Sequence, residues 1–162
     1  MKKIILAALL MLVAASSELA AQQAGQFGVG VIAGDPLGLT AKYWLGESQA
    51  IDGGVGFGDD YSFYADFLWH LWNLFPQPKQ GKLGAYVGLG GLIKADSDED
   101  PSFGIRTLVG IDYWIQNHPI ELFAELGPLF NVTPDTDVDL DGGVGVRFYF
   151  GGSAAANAPK KS

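Results

Sequence analysis

Gly104-Ile105-Arg106-Thr107-Leu108-Val109-Gly110-Ile111-Asp112-Tyr113-Trp114 reads with a period of two. Successive side chains of a β-strand point to opposite faces. Ile105, Thr107, Val109, Ile111 and Tyr113 therefore share one face, and Arg106, Gly110 and Asp112 the other. The uncharged face is continuous from end to end, and the charge is confined to its opposite. Eleven residues are also the length at which a tilted strand crosses a bilayer.

The same alternation recurs on both sides of this stretch. Segments at about 26–34, 38–46, 49–58, 61–70, 82–93, 104–114, 119–130 and 139–150 alternate, and clusters of turn-forming residues separate them. The uncharged faces begin with Phe27/Val29/Val31/Ala33, Leu39/Ala41/Tyr43/Leu45, Ile51/Gly53/Val55/Phe57 and Phe63/Ala65/Phe67/Trp69. They continue with Leu83/Ala85/Val87/Leu89/Gly91, Ile120/Leu122/Ala124/Leu126/Pro128 and Gly142/Val144/Val146/Phe148/Phe150. The opposite faces carry Lys42, Asp52, Asp66, Arg106, Asp112, Glu121, Glu125, Asp141 and Arg147, together with many of the 23 glycines. Pro128 falls inside the seventh segment, and Gly127-Pro128 predicts a bulge or an early end to pairing there.

Two architectures use such a pattern. A soluble barrel or sandwich turns its apolar face inward; a membrane barrel turns it outward. The glycines favour the second. On a solvated face glycine only weakens a strand, whereas inside a narrow barrel it makes room for large side chains. Tyr43, Phe57, Trp69, Tyr113 and Phe150 near the ends of the apolar faces match the aromatic girdles of membrane barrels. The expected fold is all-β: a closed, antiparallel, transmembrane β-barrel of eight strands with up-and-down topology.

Met1-Lys2-Lys3, an apolar run from Ile4 to Ala15 and small residues from Ser16 to Ala21 have the order of a secretory signal peptide. The apolar run is too short for a membrane anchor, which needs about 20 residues. Cleavage is expected after Ala21, with Ala20 the next choice. The expected organisation is a signal peptide at 1–21, a barrel at 22–150 and a flexible tail at 151–162. Charged residues make up 17% of the chain and hydrophobic residues 48%, which suits a large apolar exterior. The net charge of −8 argues against nucleic-acid binding, and the absence of cysteine excludes disulfides and a thiol nucleophile.

The last segment, Gly143-Val144-Gly145-Val146-Arg147-Phe148-Tyr149-Phe150, resembles the C-terminal β-signal of bacterial outer-membrane barrels, with Gly145, Phe148 and Phe150 at the matching positions. Gly143 stands where a polar residue is usual, and the chain continues past Phe150. In length and strand number the mature chain resembles the small OmpA/OmpX-type barrels. The resemblance implies the outer membrane of a Gram-negative cell, its lipid and the barrel-insertion machinery as partners. It implies no particular activity.

Other motifs fail on context. Asp137 to Gly142 matches the first half of a calcium-binding helix–loop–helix site, but Phe148 stands where the twelfth-position Glu belongs. Asp96, Asp98 and Asp100, with Asp135 and Asp137, remain candidates for a looser divalent-cation site in the loops. Gly28 to Ala33 fits the loosest dinucleotide fingerprint but lies in a strand with no helix after it. Ser62, Asp66 and His70 share one face of one strand. Each lies about 13 Å from the next, too far for a hydrogen-bonded triad.

Three inward cations against six inward acids suit a lumen plugged by ion pairs, because eight strands leave an interior only wide enough for side chains. The expected protein is a non-enzymatic outer-membrane barrel with a structural or surface-interaction role and no cofactor. A lipid-modifying enzyme and a soluble periplasmic barrel holding an apolar ligand are the alternatives. With a periplasmic N-terminus, the loops after odd-numbered strands face outward and form an acidic rim. Trp72 and Phe75, in the long connection from Leu71 to Gly81, are expected to anchor in the membrane interface.

Overall fold

The structure is a computed structural model and describes residues 24–58, 60–95 and 100–151. The expected signal peptide and most of the tail lie outside the described residues. Eight strands follow in order: β1 (Phe27–Asp35), β2 (Gly38–Trp44), β3 (Gln49–Phe57), β4 (Tyr61–Leu71), β5 (Lys82–Ala95), β6 (Ser102–Trp114), β7 (Ile120–Thr133) and β8 (Asp137–Phe150). Each pairs antiparallel with the next, and β8 pairs with β1, so the sheet closes into a barrel. The wall can be followed once round through Phe148, Val29, Ala41, Gly53, Ala65, Gly91, Ile105, Phe130 and Val138. The path returns to β8 ten residues from its start, and this stagger tilts the strands against the barrel axis.

The alternation sets the facing. Val31, Leu39, Phe63, Val109, Leu126 and Val144 are all more than half exposed on the outside, whereas the charged face is buried inside. Glycines sit where an interior aromatic lies directly across a strand pair. Tyr86 is opposite Gly110, Tyr149 opposite Gly28 and Phe123 opposite Gly145, and each ring occupies the space that a Cβ would fill. Gly110→Leu is therefore expected to overpack the lumen against Tyr86, at a cost of ~1–3 kcal/mol. Urea unfolding of the refolded barrel in detergent would measure it; an unchanged midpoint would mean that the Tyr86 ring can move aside.

Three expectations need correction. No bulge forms at Gly127-Pro128. Pairing with β6 lapses at Thr107 and Leu108, opposite Pro128 and Gly127, but does not end: it resumes in the same register, with Arg106↔Leu129 and Val109↔Leu126, and the register shift lies instead at Phe103/Gly104. The Pro128 carbonyl faces β6, where it accepts from the Thr107 hydroxyl at 3.3 Å. Its nitrogen faces the same way, so proline removes one ladder bond on that side while pairing with β8 continues through Pro128↔Leu140. Gly127 allows the Thr107 carbonyl to approach where a Cβ would collide with it. Second, the gap expected between the segments at 119–130 and 139–150 is shorter, because β7 runs to Thr133 and β8 starts at Asp137. Conversely, β2 stops at Trp44, since the Leu45 and Gly46 amides both turn to the Gln49 carbonyl.

The third correction concerns Trp72. It does not anchor outside but lies across the end of the barrel at the β2–β3, β4–β5 and β6–β7 turns, hereafter the turn end. Its ring stacks on Trp44 at 5.9 Å and His70 at 5.4 Å, with the Lys82 ammonium 3.6 Å from its centroid. Its indole donates to the Glu47 carbonyl at 2.7 Å. The Gln77 side chain holds this connection by donating to the carbonyls of Trp72 and Leu83 and accepting from the Leu83 amide. Phe75 remains exposed.

Candidate functional site

All nine inward charges expected from the alternation are buried, none more than 4% exposed. They form two networks along the lumen. At the loop end, Arg106 on β6 donates to Asp141 from Nε (3.0 Å) and Nη2 (2.8 Å) and to Glu125 from Nη2 (2.9 Å). Its Nη1 donates to Asp66. The guanidinium lies over the Tyr64 ring at 4.6 Å, and the Tyr86 hydroxyl donates to Glu125 at 2.7 Å. One cation thus serves acids from β4, β7 and β8.

Nearer the turn end, Arg147 on β8 donates to Asp52 at 2.7 Å and to Glu121 at 3.2 Å. It also donates to the Thr40 hydroxyl and stacks 3.8 Å over Phe123. Glu121 accepts in addition from Lys42 at 2.6 Å and from the Tyr149 hydroxyl at 2.8 Å. Asp112 accepts from the Trp114 indole at 2.9 Å and lies 3.9 Å from His70. Strand geometry makes these meetings possible: tilted strands bring residues distant in sequence to one level of a lumen narrow enough for opposite walls to touch.

His70, Asp112 and Glu121 present ligand-type atoms within 4.8 Å of one another. The Lys42 ammonium, 2.6 Å from Glu121 and 3.0 Å from His70, supplies positive charge at that point, so the three belong to the ion-pair network. Ser62, Asp66 and His70 are buried on one face of β4, but Asp66 is committed to Arg106 and His70 to the Lys42 and Asp112 group. They do not converge.

Of the divalent-cation candidates, Asp96 and Asp98 lie outside the described residues. Asp100 and Asp135 are exposed. Asp137 lies in β8, where the Asn131 amide donates to it at 2.6 Å and to Asp139 at 2.8 Å. The whole stretch from Asp137 to Gly142 pairs with β7 as extended strand. The β-signal positions also lie on β8. Gly145 is opposite Phe123, and Phe148 and Phe150 point outward with their rings 5.0 Å apart, edge to face.

Uncharged side chains, not foreseen from the charges, share the lumen. Trp44, Ala50, Leu68, Tyr86, Leu108, Trp114 and Tyr149 form a buried cluster toward the turn end, and Tyr64, Leu92 and Leu129 a second one. Their signal was present: Trp44, Ala50, Tyr64, Leu68, Leu108, Trp114, Leu129 and Tyr149 share parity with an inward charge on their own strand, and Tyr86 and Leu92 share it with Gly84, Gly88 and Gly90 on β5. Aromatic bulk lies at the turn end of the bore, and the ion pairs lie above it.

No family model and no curated protein matches this chain. Among solved structures, the N-terminal β-barrel domain of Pseudomonas aeruginosa OprF is similar in fold. It has a TM-score of 0.57 at 18% identity, over 80% of this chain and all of that one. The fold is that of the small eight-stranded OmpA-type barrels.

Proposed function

We propose that this chain is a non-enzymatic integral protein of the bacterial outer membrane, with a structural or surface-interaction role and a filled lumen. The observation that carries the reading is the inverted polarity of the wall: buried charges within, exposed large apolar side chains without. On β8 the outward positions run from Val138 to Phe150. These twelve steps make about 40 Å of strand. At a tilt of about 40° they rise about 30 Å, enough to cover an apolar band of roughly 25 Å. Phe27, Tyr43, Trp69, Tyr113 and Phe150 ring the outside near the turn end, and Phe57, Tyr61, Phe63, Phe103 and Phe130 near the loop end. Rings of this kind suit the two membrane–water interfaces. In water the same surface would be an apolar patch far beyond what a monomer exposes. The interior presents nine buried charges, which is the wrong lining for an apolar ligand.

Gly145, Phe148 and Phe150 are the positions through which insertion machinery would recognise the last strand. Fractionation tests the location: the protein should pellet with outer membranes and migrate anomalously in detergent gels unless boiled. Recovery in the soluble periplasmic fraction would refute the proposal. In planar bilayers the purified barrel should give little or no steady conductance, because side chains fill a lumen of this size. A large stable channel would contradict the filled bore.

A further inference from the structure

At the loop end, β8 outruns its neighbour. The β1–β8 ladder stops at Asp35↔Gly142, where Pro36 follows on β1 and Gly142 has a φ of 153°. Beyond it β8 continues to Asp137, paired with β7 on one side and, among the described residues, with no strand on the other. The Tyr149 amide donates toward the β7 side, to the Pro119 carbonyl at 2.9 Å. In an antiparallel strand these directions alternate. The odd residues of β8 therefore bond toward β7, and Val138 and Leu140 turn their N–H and C=O groups to the open edge. Their side chains are 61% and 72% exposed on the outer face. On the other face stand Asp137 and Asp139. An open strand edge is a template for another strand.

We propose that the edge of β8 from Asp137 to Leu140 docks an extended segment of a partner protein in which basic and apolar residues alternate. The charge pattern selects this occupant. A second copy of the chain, paired antiparallel edge to edge, would set acids opposite acids, which destabilises a strand pair. A segment with Lys or Arg on the face of Asp137 and Asp139 would instead complement them, while its apolar residues extend the surface of Val138 and Leu140. Lys94 at the loop end is 4.0 Å from Asp35, on the strand beside this edge, and does not neutralise Asp137 or Asp139. The inference adds a binding surface to the membrane reading, but the docking itself can be tested in detergent without that reading.

The test uses the purified full-length barrel in a non-ionic detergent and a fluorescent probe peptide, acetyl-Lys-Val-Lys-Val-Lys-Val-Lys-amide, with empty micelles as the blank. Fluorescence anisotropy should show saturable binding that weakens with salt, and an analogue with Glu in place of Lys should bind at least tenfold more weakly. In Leu140→Pro the lost N–H points to the open edge, so the β7 ladder is kept while docking should fall at least tenfold. Asp137→Asn with Asp139→Asn should weaken the Lys probe by about tenfold and leave the Leu140 edge intact. Gel mobility before and after boiling reports whether each variant is folded. Equal binding to folded wild type and Leu140→Pro would refute strand docking, as would equal binding of Lys and Glu probes. A barrel dimer abolished by Leu140→Pro would overturn the choice of occupant in favour of a second copy.

Discussion

Arg106→Leu is expected to destabilise the barrel by ~3–5 kcal/mol, the usual cost of removing one partner from a buried ion network. The guanidinium is 1% exposed and is bonded to Asp66, Glu125 and Asp141, all buried. Without it three carboxylates share a small space, and the other buried Lys and Arg among the described residues, Lys42 and Arg147, are committed to Glu121 and Asp52. Urea titration of the refolded barrel, followed by tryptophan fluorescence, reads the effect. Adding Asp66→Asn to Arg106→Leu should recover part of it, because one of the stranded charges is then gone. A loss below about 1 kcal/mol for Arg106→Leu would mean that water, not Arg106, compensates these acids.

Val109→Arg is expected to cost ~2–4 kcal/mol in a bilayer, the penalty for a cation facing lipid near the midplane. Val109 is 56% exposed on the outer face and lies between Phe103 and Tyr113, the aromatic positions toward the two ends of β6. Val138→Arg, on the same outer surface beside Phe130 at the loop end, should cost only ~0–1 kcal/mol, because the penalty fades toward the interface. Folding both variants into lipid vesicles and titrating with denaturant compares them. Equal costs would remove the depth dependence that a membrane-spanning wall requires.

The order of the strands and the facing of nearly every residue were legible because strand parity is a local property. A single slip in pairing would move Arg106 and Asp112 onto the apolar outer face, so the charges themselves enforce the register. Trp72 was misplaced for a related reason. It lies just past the end of β4, where parity no longer applies, and its position follows from stacking on Trp44 and His70 and donating to Glu47. Pro128 was misjudged because its cost depends on which neighbour its nitrogen faces, and that direction is set by the ladder with β6.

The alternation, the inward set of nine charges, the glycine-rich lumen and the apolar exterior follow from local sequence alone, since they need only a period of two and the chemistry of each side chain. Closure and stagger decided the rest. Which acid meets which arginine depends on strands that are not neighbours in the wall meeting across the bore: β4 with β6, two apart in chain order, and β3 with β8, five apart. The open edge of β8 depends on where β1 stops. Both are relations between strands fixed by the closed wall, and no single segment contains them.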